Sequence, residues 1–315
     1  MDQFVIGVDL GGTQMRVARL DSSLEVLERW AEPTRAHEGP DRVIPRMLDL
    51  IARVMPDDPA SVMGIGVSAP GPINPRTGII VSPPNLPGWH NVPLRSRVEE
   101  RFGCTVYLGN DANVAALAEA TRGAAQGYTH VIYVTVSTGI GSGVIDEGHL
   151  LIGTQGLGAE AGHMIMLVDD RISTLEKEAA GPAIARKAVA RLKAGAQSIL
   201  TERVSDLSML TAKAIGEAAI EGDAFAVDQI TEAGRLVGLG LVTLMHLFNP
   251  QVIVVGGGVT KTGDLLYEPM RAAVQQHTLD RAYWEHVPII PPALGDNVAL
   301  IGAAALVTTK GGSYL

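Results

Sequence analysis

Val5-Ile6-Gly7-Val8-Asp9-Leu10-Gly11-Gly12-Thr13, with the apolar alternation Met15 to Leu20 behind it, decides the fold together with a later stretch, Val131-Ile132-Tyr133-Val134-Thr135-Val136-Ser137-Thr138-Gly139-Ile140-Gly141-Ser142-Gly143-Val144-Ile145. Each is a β-rich run, a glycine-rich turn and a second run, which predicts a β-hairpin. Setting Val5 over Val131 superposes the two at an offset of 126 residues, which reads as a weak internal duplication. A chain of 315 residues also exceeds the common size of one domain. Two lobes are expected, each owning one hairpin, and two lobes invite a cleft.

Working outward, Leu24 to Trp30 could add a third strand, Asp41 to Val54 has helical periodicity, and Val62 to Val67 is a buried strand leading into Ala69-Pro70-Gly71-Pro72. A Pro-rich loop runs to about Pro93, Val92 to Phe102 suggests a helix, and Thr105 to Leu108 a strand. Asn110-Asp111-Ala112-Asn113 then opens an Ala-rich helix through about Ala120, which puts Asp111 at a strand-to-helix junction. Helices are expected at Pro182 to Leu192, Ser208 to Ile220 and Phe225 to Phe248, and a strand at Val252 to Val255 before Gly256-Gly257-Gly258. Asn297 to Val307 is a last helix. The expected small lobe is 1–120, with the helix 297–309 packing back on it, and the larger lobe is 121–296.

Composition narrows the function. Apolar residues make up 46% and charged residues 19%, a globular balance. A net charge of −9 argues against nucleic acid as a partner, since a phosphate backbone is met by gathered Lys and Arg. Cys104 is the sole cysteine, so neither an internal disulfide nor a thiolate zinc cluster can be built, and a cytoplasmic location is expected. Met1 to Leu10 lacks the pattern of a signal peptide, and the longer apolar runs are broken, so no membrane segment is expected.

Glycine lets backbone N–H groups approach phosphate oxygens, so two such turns could grip one polyphosphate. A single glycine turn is commonly just a turn; the repetition raises its weight. Neither turn is a P-loop, and Gly139-Ile140-Gly141-Ser142-Gly143 lacks the third glycine of a dinucleotide fingerprint. Asp9 beside the first turn makes sense with phosphate mainly if Mg²⁺ mediates, directly or through water, and otherwise is a turn former. Asp111 has the placing of a general base, or equally of a helix cap. Glu160, His163 and Glu176 supply acceptors and a donor suited to sugar hydroxyls, though a lone buried His is more often structural.

Asp9-Leu10-Gly11-Gly12-Thr13, Ala69-Pro70-Gly71, Pro84-Asn85-Leu86-Pro87-Gly88-Trp89, Asn110-Asp111-Ala112-Asn113 and Glu160-Ala161-Gly162-His163 occur in this order. The set resembles the ROK family of sugar kinases and repressors, over nearly the whole chain. The resemblance implies an actin-like (ribonuclease H-like) ATPase fold of two α/β lobes around a cleft where ATP and sugar meet. It implies an ATP-binding set of Asp9, Gly11, Gly12, Thr13, Thr138, Gly139, Gly257 and Gly258, with Mg²⁺ as cofactor. It implies sugar contacts from Gly71, Asn85, Asn110, Asp111, Glu160, His163 and Glu176, with Asp111 the base of a hexose 6-phosphotransferase. Glucose is the first expectation for the acceptor. N-acetylmannosamine, N-acetylglucosamine or fructose as acceptor, polyphosphate as donor, and a non-catalytic sugar sensor are the alternatives. Repressor members carry a DNA-binding segment ahead of the first turn, and with Asp9 so near the start of this sequence none is expected here. A homodimer or homotetramer is expected by resemblance only.

Two departures stand out. Family members follow the Gly-His element with a Cys-rich zinc loop that ends two residues before a sugar-binding Glu, whereas here Met164 to Glu178 holds no cysteine and Glu176 falls in register with that Glu. No zinc is expected, and Asp169 or Asp170 is the expected replacement for orienting His163. Gln14 stands where many relatives carry Lys; either Mg²⁺ or Arg16 compensates, or the residue does not matter.

Overall fold

Strand β1 (Phe4–Leu10) buries nearly every side chain and is flanked on both sides by other strands. The computed structural model describes residues 3–313; Met1 and Asp2, within the stretch read for a leader, lie outside the described residues. β1 pairs antiparallel with β2 (Gln14–Asp21), Asp9 opposite Arg16, and β2 pairs with β3 (Val26–Pro33). Leu24, expected within that third strand, has φ 65° and belongs to the turn instead.

Helix α1 (Pro40–Val54) starts on Pro40, whose missing N–H is no loss in a first turn, and buries Val43, Ile44, Met47, Leu50, Ile51 and Val54 at helical spacing. It leads to β4 (Val62–Ala69), parallel to β1. The Pro-rich loop holds the small ladder β5 (Ile73–Asn74) and β6 (Ile79–Ile80), with Trp89 buried. α2 (Leu94–Phe102) crosses to β7 (Val106–Asn110), parallel to β4, and α3 (Asp111–Arg122) follows without a loop. The sheet order is β3-β2-β1-β4-β7.

The second sheet repeats the plan. β8 (Val131–Val136), β9 (Ile140–Asp146) and β10 (His149–Leu150) are followed by a small hairpin, β11 (Ile165–Val168) and β12 (Arg171–Thr174). Helices α4 (Leu175–Ala179), α5 (Gly181–Lys193), α6 (Leu200–Arg203), α7 (Ala212–Ile220) and α8 (Ala224–Phe248) precede β13 (Val252–Gly256), α9 (Asp264–His277) and β14 (Ile289–Ile290). Its order, β10-β9-β8-β13-β14, mirrors the first sheet with its hairpin to one side. α7 begins at Ala212 rather than Ser208 because the Thr211 hydroxyl accepts the Ala214 N–H and caps the helix there.

The final helix, α10 (Val298–Thr308), lies on β1, β4 and α3 at a distance that only glycine permits. A Cβ on Gly66 would stand 1.7 Å from the Ala303 carbonyl oxygen, and one on Gly7 2.4 Å from that of Leu300. The chain forms two compact units. One runs through Val131, includes Gly143–Ala159 and resumes at Pro292; the other comprises Ile132–Ser142 and Glu160–Pro291. Among the described residues α8 alone is long and apolar enough to cross a membrane, yet 61% of its apolar window is buried within the protein. It is the core helix of its unit, laid against α9.

Candidate active site

The first glycine turn is built by crowding. Gly11 and Gly12 both keep ordinary backbone angles, but a Cβ on Gly11 would meet the Gln14 carbonyl oxygen at 2.7 Å and one on Gly12 the Asn85 carbonyl oxygen at 2.8 Å. The Pro-rich loop thus packs on the turn and brings Asn85 beside it. Buried Thr34 props the same turn, its hydroxyl donating to the Gly11 carbonyl at 2.6 Å and its N–H to the Thr13 carbonyl at 2.9 Å. Nothing in the sequence around Pro33-Thr34 marks that role.

Asp9, at the end of β1, accepts two hydrogen bonds on Oδ2, from Arg16 Nε at 2.8 Å and Nη2 at 2.6 Å. Arg16 Nη1 donates to the Asp296 carbonyl ahead of α10. Burial pushes the Asp9 carboxyl up, and the charge and hydrogen bonds of Arg16 pull it back without fully offsetting burial. Among the described residues Oδ1 of Asp9 carries no hydrogen bond, leaving a hard oxygen donor of the kind Mg²⁺ takes.

At the junction of β7 and α3 two neighbours divide the work. Asn110 caps the helix, its side-chain oxygen accepting the Asn113 N–H at 2.8 Å. Asp111 is left with one bond, from the Ala112 N–H at 2.9 Å. Its side chain reaches solvent, yet protein surrounds it closely enough that desolvation raises its pKa; the Ala112 N–H works the other way, and the Asp9 charge adds to the rise. Gly71 sits beside Asn110, a Cβ there lying 3.8 Å from the Asn110 Cβ.

In the other unit, Thr138 and Gly139 form the turn between β8 and β9, and the turn is gripped from both sides. Gly162 fits against β9 so tightly that a Cβ would lie 2.0 Å from the Ile140 carbonyl oxygen, which seats the Glu160 to His163 turn there, and the Ala161 N–H donates to Ser142 Oγ at 3.1 Å. Glu176, on α4, accepts the Ile140 N–H at 2.9 Å. Glu160, His163 and Glu176 are thereby gathered around one strand end. The expected support for His163 fails: Asp169 and Asp170 occupy the exposed tip of the β11–β12 hairpin with positive φ, and among the described residues no hydrogen bond or ion pair engages the His163 ring.

Gly257 needs its φ of 99° as well as its size, since a Cβ would stand 2.4 Å from the Val136 carbonyl oxygen. Gly258 opens on a cavity of about 630 Å³ lined by Ser137, Thr138, Gly181, Pro182, Thr211, Lys213, Glu217, Lys261 and several apolar side chains. Lys261 has no ion pair among the described residues. Of this wall the sequence points only to Gly258 and Thr138.

The sequence profile of the ROK family matches residues 5–310. The chain belongs to the ROK family. Among its ROK relatives, the glucokinase of Thermotoga maritima is 32% identical over 97% of this chain and 98% of its own length. The crystal structure of a ROK hexokinase from Thermus thermophilus covers 96% of this chain and 97% of its own, at 34% identity and a TM-score of 0.78. That of a ROK glucokinase from Streptomyces griseus in complex with glucose and AMPPNP covers 96% and 98%, at 31% identity and a TM-score of 0.78. The two α/β units are therefore those of the actin-like ATPase fold, and the ROK kinases are the enzymes this chain resembles along its whole length.

Proposed function

We propose that this protein is an ATP-dependent hexose kinase that makes glucose 6-phosphate, with Asp111 as general base. The observation that carries the reading is the division between Asn110 and Asp111. With the cap supplied by Asn110, the Asp111 carboxylate is spare, reaches solvent and has a raised proton affinity, as a base for a hydroxyl requires. In the step, the sugar's primary hydroxyl oxygen forms a bond to the γ-phosphorus of ATP, the bond from that phosphorus to the ADP oxygen breaks, and the hydroxyl proton passes to Asp111. Phosphoryl transfer asks little covalent chemistry of a protein, so the remaining groups position and neutralise.

Asp9, Gly11, Gly12 and Thr13 are assigned to the phosphates, with Thr138 and Gly139 as the second turn. Gly257, Gly258 and the cavity beside them are assigned to the adenosine, and Lys261 adds positive charge at its wall, where Lys213 is paired with Glu217. Mg²⁺, when bound with the nucleotide, supplies neutralisation of phosphate charge, and the open oxygen of Asp9 suits it. Gly71, Asn85, Asn110, Glu160, His163 and Glu176 are assigned to the sugar. Glucose is favoured because the Pro84 to Trp89 and Asn110 to Asn113 elements are glucokinase-like and the relatives above include named glucokinases. By family resemblance the protein is taken to work in the cytoplasm as a homodimer or homotetramer, which sedimentation of the purified protein checks.

The test is a coupled ADP-release assay with Mg-ATP and a panel of glucose, mannose, fructose, N-acetylglucosamine and N-acetylmannosamine. Glucose-dependent turnover that falls by about 10²–10⁴-fold in Asp111→Ala is expected. Release with another sugar alone moves the acceptor, and sugar binding without turnover gives the sensor reading.

A further inference from the structure

Glu178 takes no part in the reaction above, and it is the one buried carboxylate among the described residues of the second unit, 1% exposed. Its charge is met from three sides. Arg171 Nη1 lies 2.7 Å from Oε1, the Ser173 hydroxyl donates to Oε1 at 2.6 Å, and Lys187 Nζ lies 2.8 Å from Oε2. The same Lys187 donates to the Glu178 carbonyl at 2.9 Å, and Arg186 donates to the Lys177 carbonyl at 2.5 Å. Two cations of α5 thus close the carbonyl end of α4, where a helix has acceptors without partners. At five residues α4 is far too short to persist on its own, so these ties hold it.

What α4 holds in turn is the second glycine turn. Glu176 accepts the Ile140 N–H at 2.9 Å on one flank, and the Gly181 N–H donates to the Ser137 carbonyl at 2.7 Å on the other. Ser137, Thr138, Gly181 and Pro182 are also wall residues of the cavity beside Gly258. The segment from Glu176 to Gly181 is therefore shared: its first residue carries a carboxylate of the sugar set, its last stands in the nucleotide wall, and Glu178 anchors its middle.

We propose that Glu178 is a positioning residue whose buried ion cluster with Arg171, Ser173 and Lys187 holds this segment against the second turn, so that one set of charges governs both sugar and nucleotide binding. The proposal rests on the kinase reading given above. Removing one partner of a buried ion pair is destabilising whatever the pair does for ligands, so stability alone does not test it. Coupled loss of two affinities does.

The experiment measures glucose and ADP binding by titration calorimetry, with KM for each substrate and kcat, on the full chain and on Glu178→Gln, Arg171→Met and Arg171→Lys. In Glu178→Gln both dissociation constants and both KM values are expected to rise together by about tenfold, with kcat held within about threefold. Arg171→Met is expected to move the same quantities in the same direction, and Arg171→Lys, which keeps the charge, to restore them. Wild-type affinity for both ligands in folded Glu178→Gln, or a loss confined to one ligand, overturns the proposal. If Glu178→Gln does not fold, the Arg171 pair decides by the same criteria, since that side chain is 52% exposed and its loss leaves the core packed. A wild-type protein that binds neither ligand takes the kinase reading down with the proposal. Wild-type binding that Glu178→Gln leaves unchanged removes the proposal alone.

Discussion

Asn110 and Asp111 show how much a single position decides. Both are residues that cap helices, and the cap goes to Asn110 because it has the extended backbone of an N-cap while Asp111 already lies in the first turn. The carboxyl of Asp111 is held above its ordinary value of 3.8 by desolvation first and by the Asp9 charge, so a base at this position loses activity as pH falls through that raised value. The acid limb of kcat/KM for the hexose is accordingly expected above the ordinary Asp range, and a limb at or below 3.8 would remove Asp111 as its source. Glu178 is shifted the opposite way. Burial pushes it up, but the ion pairs with Arg171 and Lys187 and the hydrogen bond from Ser173 outweigh burial and hold it at about 2, against 4.5 for a free Glu. Its stabilisation, at most about 3 kcal/mol, is complete above pH 4.5 and is lost as pH falls through 2. Glu178→Gln is expected to flatten the melting temperature against pH between those values, checked by calorimetric scans in matched buffers. Spacing alone gave no hint of this residue: Arg171, Glu178 and Lys187 look like surface charges until β12, α4 and α5 are packed.

At the scale of elements, the glycines of α8 oppose two effects that can be weighed. Gly238→Ala gains about 1 kcal/mol of helix propensity. A Cβ there would stand 2.5 Å from the Met270 carbonyl oxygen and 2.8 Å from the Ala273 Cβ, and the first of these is backbone that cannot swing aside. Overpacking of this kind costs typically about 1–3 kcal/mol and is expected to prevail, lowering the denaturant midpoint without changing the slope. The α9 helix that receives these glycines was not anticipated, because Pro269 lies inside it and reads as a helix breaker. The β11–β12 hairpin escaped for another reason. Ile165-Met166-Leu167-Val168 is an unbroken apolar run without the alternation by which a half-buried strand is recognised, although Ile165, Leu167 and Ile172 are all more than 70% exposed in the fold. Its pairing is set by the turn at Asp169 and Asp170.

At the scale of the molecule, α10 completes a core begun almost 300 residues earlier in the chain. Leu300, Ile301, Leu306 and Val307 are all less than 10% exposed, and at about 1.5–3 kcal/mol each their burial is comparable to the net stability of a whole domain. Ending the chain before Val298 is therefore expected to leave the first unit without fixed packing, seen as lost near-ultraviolet dichroism and gained dye binding. The sequence alone determined the duplicated hairpins, the ordered motifs of the ROK family and the candidate residues Asp9, Asp111, Glu160, His163 and Glu176, because backbone period and motif spacing are local properties. Tertiary structure alone decided that Asn110 caps while Asp111 keeps a single hydrogen bond, that Arg16 faces Asp9, that Thr34 props the first turn and that Glu178 anchors α4. Each of these depends on which distant groups share a buried volume, where an unpaired charge or donor is costly, and no local pattern carries that information.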